Sequence, residues 1–218
     1  MKTNTIITVT NNPNHPGVQR LTKSAEKFGW DLYIVDAEWK GFGTKLIETY
    51  SFLINNPQIE SFVFVDAHDV VVLSSSKFFD SVLSWCNFEN KMLVSCEKAC
   101  WPDGSLADKY GEYWSEWKYV NSGLYYAPRD VFIKVFESSP PEYHNDDQLW
   151  LTNMYLNQSG DDIKTDSHCV LFQSYSHIAD DDFGYENNRL QNLKTLTQPI
   201  FVHGNGRTDM TLIDQLLQ

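Results

Sequence analysis

Phe62-Val63-Phe64-Val65 is an apolar run of β-branched and aromatic residues, and a second one, Val70-Val71-Val72-Leu73, follows after only four residues. A run of this kind reads as a strand buried on both faces. Between the two halves stand Asp66-Ala67-His68-Asp69. In a continuing strand, residues three apart point to opposite faces, so Asp66 and Asp69 converge only if the backbone turns at Ala67-His68. Two carboxylates on a short turn suit a hard divalent cation such as Mg²⁺ or Mn²⁺. They equally suit a solvated turn in which Asp side chains accept from nearby backbone N–H groups.

The neighbouring segments alternate in type. Thr5 to Thr10 is β-branched and apolar, and Asn11-Asn12-Pro13-Asn14-His15-Pro16-Gly17 stops it. A helix with Val18, Leu21, Ala25 and Phe28 on one face follows, then a strand at Leu32-Tyr33-Ile34-Val35. Gly41-Phe42-Gly43-Thr44-Lys45 opens a second helix with Leu46, Ile47, Tyr50, Leu53 and Ile54 along its stripe. The order strand, helix, strand, helix, strand predicts a doubly wound, parallel, Rossmann-like α/β sheet with helices on both faces. Ligands of such sheets sit beyond the carboxyl ends of the strands, and Asp66 is at that kind of end.

Further on, the pattern predicts a helix capped by Ser76 with Phe78, Phe79, Val82, Leu83 and Cys86 inward, and a strand at Met92-Leu93-Val94-Ser95-Cys96. Glu97 to Val120 is irregular and aromatic, either a binding loop or a cover for the sheet edge. A strand at Gly123 to Pro128 and helices at Arg129 to Glu137 and from Asn145 to about Leu156 complete the regular part. Ile200-Phe201-Val202 forms a last short strand ending at His203. Without repeat or linker, the 218 residues read as a single domain over 1–218.

Charge narrows the partners. The formal net charge is −12, from 17 Lys+Arg against 29 Asp+Glu, which argues against a broad nucleic-acid-binding surface. A phosphate-bearing ligand in such a field needs a cation to screen it. The 4 cysteines lack zinc-ribbon spacing and are too few for a disulfide scaffold, so reduced thiols are expected. No run is apolar and long enough to span a bilayer, and the first residues, Met1 to Thr10, lack a cleavage pattern, which predicts a cytoplasmic protein with no membrane partner.

Several constellations could carry chemistry. His203 at a strand end could complete a metal site begun by Asp66 and Asp69. Gly204, Asn205 and Gly206 could turn backbone N–H groups to a phosphate, with Arg207 adding charge, although a plain turn uses the same residues. Asn145 reads as the cap of a helix with Gln148 completing a capping box, and Asp146 and Asp147 as first-turn acids, or one of those acids faces a cleft. Trp101 offers an aromatic face for a sugar, or a loop anchor, and Asn121-Ser122-Gly123 offers hydrogen bonds to sugar hydroxyls, or a turn.

Taken in order, Phe64-Val65-Asp66-Ala67-His68-Asp69-Val70, Glu97-Lys98-Ala99-Cys100-Trp101-Pro102, Val120-Asn121-Ser122-Gly123, Asp146-Asp147-Gln148-Leu149 and Val202-His203-Gly204-Asn205-Gly206 give the chain a resemblance. It resembles the glycosyltransferase domain of the procollagen lysyl hydroxylase (PLOD) family, over nearly its whole length. The resemblance implies a GT-A fold, a UDP-sugar donor, Mn²⁺ with Mg²⁺ as the substitute, and transfer of a hexose to an acceptor hydroxyl, such as a hydroxylysine-linked galactose in a collagen-like protein. Its rival is a catalytically silent UDP-sugar-binding module, and a modified nucleobase is a rival acceptor. Asp66, Asp69 and His203 look like the metal ligands; Thr10, Lys45, His68, Asn205, Gly206 and Arg207 look like nucleotide contacts; Trp101, Asn121, Asp146 and Asp147 look like the sugar and catalytic side. Two positions depart from the family's pattern: His68 replaces an aromatic near the nucleotide, and Asp209 replaces a lysine that binds the diphosphate.

Overall fold

The computed structural model describes residues 3–158, 161–186, 189–206, 208–215 and 217, the side chains of Glu186 and Leu212 excepted. Its main layer is a six-stranded sheet built from β1 (Thr5–Thr10), β2 (Asp31–Asp36), β3 (Ser61–Val65), β5 (Met92–Glu97), β6 (Tyr119–Pro128) and β7 (Ile163–Thr165), in the order β2-β1-β3-β6-β5-β7. A three-stranded sheet holds β4 (Val70–Val72), β8 (Phe172–Ser174) and β11 (Phe201–His203) in the order β4-β11-β8. β9 (Phe183–Glu186) and β10 (Arg189–Asn192) form a separate antiparallel ribbon.

Helices cover both faces of the main sheet, and alternation along the central strands feeds two cores. Ile7, Phe62 and Phe64 pack with Leu46 and Leu53 of α2 (Gly43–Asn55), Phe132 of α4 (Arg129–Ser138) and Leu151 of α5 (Asp147–Asn157). Ile6, Val63 and Val65 pack with Leu21 and Ala25 of α1 (Pro16–Lys27) and Phe79 and Leu83 of α3 (Ser76–Trp85). Each face is therefore a dry layer of large side chains, as a doubly covered sheet requires.

Three expectations need correction. β6 begins at Tyr119 rather than Gly123 and runs antiparallel to both of its neighbours, β3 and β5. β5 reaches β6 through an aromatic loop and a short 3₁₀ helix, Gly104–Lys109, and without an α-helical crossover the chain returns antiparallel. The sheet is mostly parallel, since β1, β2 and β3 run together and β5 pairs β7 in parallel. Ser75, not Ser76, caps α3 by accepting from Phe78 N–H, and Phe78 is 42% exposed with the Arg189 guanidinium over its ring. Asp146, not Asn145, caps α5: its carboxylate accepts from Leu149 N–H at 2.8 Å, while the Asn145 side chain accepts from Glu142 N–H.

Between β3 and β4 the backbone turns over residues 66–69, so one apolar run supplies strands to two different sheets. Three neighbours pin that turn. Asp66 N–H donates to Gly123 O of β6 at 2.8 Å, Gly204 N–H donates to Asp69 O at 2.8 Å, and Arg20 of α1 donates to His68 O at 2.8 Å. No helix among the described residues is long and apolar enough to cross a membrane.

Candidate active site

The carboxyl ends of β3 and β5, the start of β6, the start of α5 and the end of β11 meet at one edge of the main sheet. A cavity of about 530 Å³ opens there, with Trp101, Asn121, Asp146, Asp147, His203 and Asn205 among its walls. A second cavity of about 380 Å³ adjoins it and contains Thr10, Trp39 and His68. Phe42, Lys45, Asp66 and Asp69 line both, so the two are lobes of one cleft with the Asp66–Asp69 turn at the waist.

At that waist, single donor atoms of Asp66, Asp69 and His203 all lie within 4.8 Å of one another. His203 Nε2 is 3.3 Å from Asp69 Oδ1 and 3.6 Å from Asp66 Oδ2. Gly123 leaves the room for this approach: a Cβ there would stand 2.0 Å from His203 Cε1 and 2.9 Å from Asp66 Oδ2. Two carboxylates and one imidazole are a donor set that fits Mn²⁺ or Mg²⁺, hard cations that keep further positions for phosphate oxygens and water.

Electrostatics at the waist are tightly coupled. Burial alone would depress His203, but Asp69 and Asp66 outweigh it and hold the imidazole above the ordinary histidine range. Burial alone would raise Asp69, and His203 more than reverses that, leaving the carboxyl below its usual range. Lys45 Nζ bridges Asp147 Oδ2 at 2.7 Å and Asp66 Oδ1 at 2.8 Å. Burial opposes the Lys45 charge, yet Asp147 and then Asp66 outweigh it and lift the ammonium above the ordinary lysine range. Burial lifts the Asp147 carboxyl against the pull of Lys45. We read this pair as ionised, because the one ammonium faces two carboxylates at hydrogen-bond distance.

The residues singled out from sequence divide among these places. Asp147 is buried and joined through Lys45 to Asp66, whereas the Asp146 carboxylate is engaged as the α5 cap although it also lines the larger lobe. Trp101 is 65% exposed at the rim of the larger lobe, and Gly206 lines it beside Asn205. Thr10 lies in the smaller lobe, where its hydroxyl is 3.1 Å from His68 Nε2. The His68 ring stacks on His15 with centroids 3.9 Å apart, and burial lowers its pKa. Arg207 lies outside the described residues. Asp209 lines neither lobe, and its carboxylate accepts from Thr211 N–H and Oγ1 at the start of α6 (Thr211–Gln215).

Sequence reasoning missed Glu97 and Gln148 as members of the site. Glu97 is 4% exposed and lines the larger lobe together with Gln148, which donates to it at 2.7 Å. The available signal was a carboxylate closing an apolar strand, the same signal that Asp66 gives.

Comparisons with known proteins agree with this architecture. The chain is 30% identical over 166 residues to an uncharacterized protein of Acanthamoeba polyphaga mimivirus, covering 76% of this chain and 36% of that protein. It is 28% identical over 217 residues to the multifunctional procollagen lysine hydroxylase and glycosyltransferase of Caenorhabditis elegans, covering 88% of this chain and 29% of that one. The chain thus spans about a third of the length of these relatives. Among solved structures, a glycosyltransferase involved in glycosylation of the major capsid of PBCV-1 superposes with a TM-score of 0.57 at 13% identity, over 98% of this chain and 97% of that one. The family model of the PLOD GT domain matches residues 1–216, and with the GT-A sheet beneath that match the chain belongs to the family of PLOD glycosyltransferase domains.

Proposed function

We propose that this chain moves a hexose, glucose or galactose, from a UDP-sugar to an acceptor hydroxyl, with Mn²⁺ or Mg²⁺ held by Asp66, Asp69 and His203. The observation that carries this reading is the two-lobed cleft with the Asp-Asp-His cluster at its waist. A nucleoside in the smaller lobe and a sugar in the larger one would set the diphosphate across that waist. A cation bound there supplies positive charge against the leaving diphosphate.

The chain's own groups account for the rest. Thr10 and His68 face the nucleoside lobe, where the His15–His68 stack stiffens the wall. Asn205 and Gly206, which line the larger lobe, would contact the diphosphate. Asp147 lies where a carboxylate can stabilise positive charge developing on the sugar, and its pairing with Lys45 keeps it oriented and ionised. Trp101 gives the acceptor or the sugar a ring to stack on, and Asn121, whose amide is held by Glu97, Gln148 and Gly123 N–H, shapes the wall of the sugar lobe. The acceptor we favour is a hydroxylysine-linked galactose on a collagen-like chain, in line with the procollagen named for the nematode relative.

UDP release from UDP-glucose and UDP-galactose, with Mn²⁺ and with EDTA, tests the donor half. We expect Mn²⁺-dependent release that falls by ~10³-fold in Asp66→Ala, the equivalent of several kcal/mol of charge stabilisation. Unchanged release in that variant removes the metal assignment. Binding of a UDP-sugar with no turnover on any acceptor would instead mark a silent binding module.

A further inference from the structure

Asp66 and Asp69 reach the waist from two different sheets, so their spacing depends on what holds the chain between them. Asp66 is fixed to the main sheet through its own N–H on Gly123 O. Beyond the turn, β4 is an edge strand: it pairs β11 on one side, and α1 lies against it. Backbone groups that no strand answers need partners from elsewhere. One stripe of α1 supplies them. Gly17, Arg20 and Ser24 recur at the three- and four-residue spacing that places side chains on one helix face. A Cβ on Gly17 would stand 1.9 Å from His68 O, Arg20 Nη2 donates to that same oxygen at 2.8 Å, and the buried Ser24 hydroxyl accepts from Val72 N–H at 3.1 Å.

The grip at His68 falls between the two carboxylates. The other pins on the turn, Gly123 O on Asp66 and Gly204 N–H on Asp69, are backbone groups. Arg20 is the side chain among the three, and its charge makes the bond to His68 O stronger than a neutral one. The guanidinium is held at its other arm as well, with Nη1 3.4 Å from Asp214 of α6. Gly17, lacking a side chain, lets α1 come close enough for the contact. We propose that Arg20 is a positioning residue for the Asp66–Asp69–His203 cluster: by holding His68 O it fixes the middle of the 66–69 turn, and with it the bearing of Asp69 on Asp66. Without that bond the turn keeps both ends and loses its centre. The purpose of the grip rests on the metal reading above; the grip itself does not.

The test compares the whole chain as wild type, Arg20→Met, Arg20→Lys and Asp214→Asn, by Mn²⁺ titration and by amide exchange over residues 66–71 in EDTA. Arg20→Met keeps the aliphatic stem and removes every donor. We expect its Mn²⁺ affinity to fall ~10-fold, the lower end of the effect of losing an outer-shell partner, and exchange at residues 66–71 to quicken by about tenfold. The bond to His68 O uses a single N–H, so Arg20→Lys, with a charged donor on a comparable stem, should recover most of that affinity. Asp214→Asn breaks only the partly exposed pair with α6 and should stay close to wild type. Wild-type affinity in Arg20→Met, a lysine variant no better than the methionine one, or an equal loss in Asp214→Asn overturns the proposal. Should Arg20→Met not fold, Arg20→Gln, whose shorter amide ends before His68 O, takes its place under the same expectation. A wild type that binds no Mn²⁺ overturns the metal reading instead, and the exchange comparison in EDTA still decides the grip, which unchanged rates at residues 66–71 would overturn.

Discussion

Gly123 sits beneath His203 and beside Asp66, in contact too close for any side chain. Gly123→Ala should displace the imidazole, abolish Mn²⁺ binding and cost ~1–3 kcal/mol by overpacking, read by titration and by thermal melting. His203 itself predicts a pH dependence. Its folded pKa is raised above the unfolded value of ~6.5, so its contribution to stability is complete below that pH and is lost as pH rises through the folded value. Proton and cation compete for the same nitrogen, so Mn²⁺ affinity should rise with pH over that interval, by up to roughly tenfold per unit. Melting curves from pH 6 to 8.5 in EDTA and in Mn²⁺ check both signs: the EDTA curve should fall and the gap between the two should widen. Lys45 ties together two carboxylates of this site, Asp147 in the larger lobe and Asp66 at the waist.

Most elements were legible from periodicity, and the exceptions have physical causes. The break at Ala67-His68 followed from requiring two carboxylates to converge, and β3 and β4 do part there into separate sheets. The antiparallel run of β6 was not legible, because an apolar run says nothing of direction; the missing crossover helix between β5 and β6 was the usable clue. Adjacent hydroxyls at Ser75 and Ser76, and adjacent polar groups at Asn145 and Asp146, offer nearly equal caps, so local sequence cannot choose between them. Asp and His on a turn announce themselves, whereas Glu97 is held by amides brought from β6, α5 and the segment after β11, and only the tertiary fold assembles them. The approach to β8 rests on a single side chain in the same way: the buried Asp166 carboxylate accepts from Val170, Leu171 and Phe172 N–H at 2.8–2.9 Å. Asp166→Ala should therefore cost about 3 kcal/mol, or roughly 10 °C in melting temperature.

Across the whole molecule, acidic charge dominates, and the larger lobe concentrates it: Asp66, Asp69, Glu97, Asp146 and Asp147 face it, with Lys45 as the one Lys or Arg among its described lining residues. A diphosphate enters such a place only in company with a cation, which agrees with the function proposed. The two sheets meet at the same point. Asp66 hangs from the end of β3 in the main sheet, Asp69 leads into β4, and His203 ends β11 in the smaller sheet. An ion held by all three would act as a rivet through a joint, stiffening one sheet against the other and sparing the turn between them from fraying. Amide exchange in β4, β11 and residues 66–69 should slow on adding Mn²⁺ to the wild type and stay unchanged in Asp66→Ala. Metal supply would then set how rigid this chain is as well as whether it is loaded for the reaction proposed.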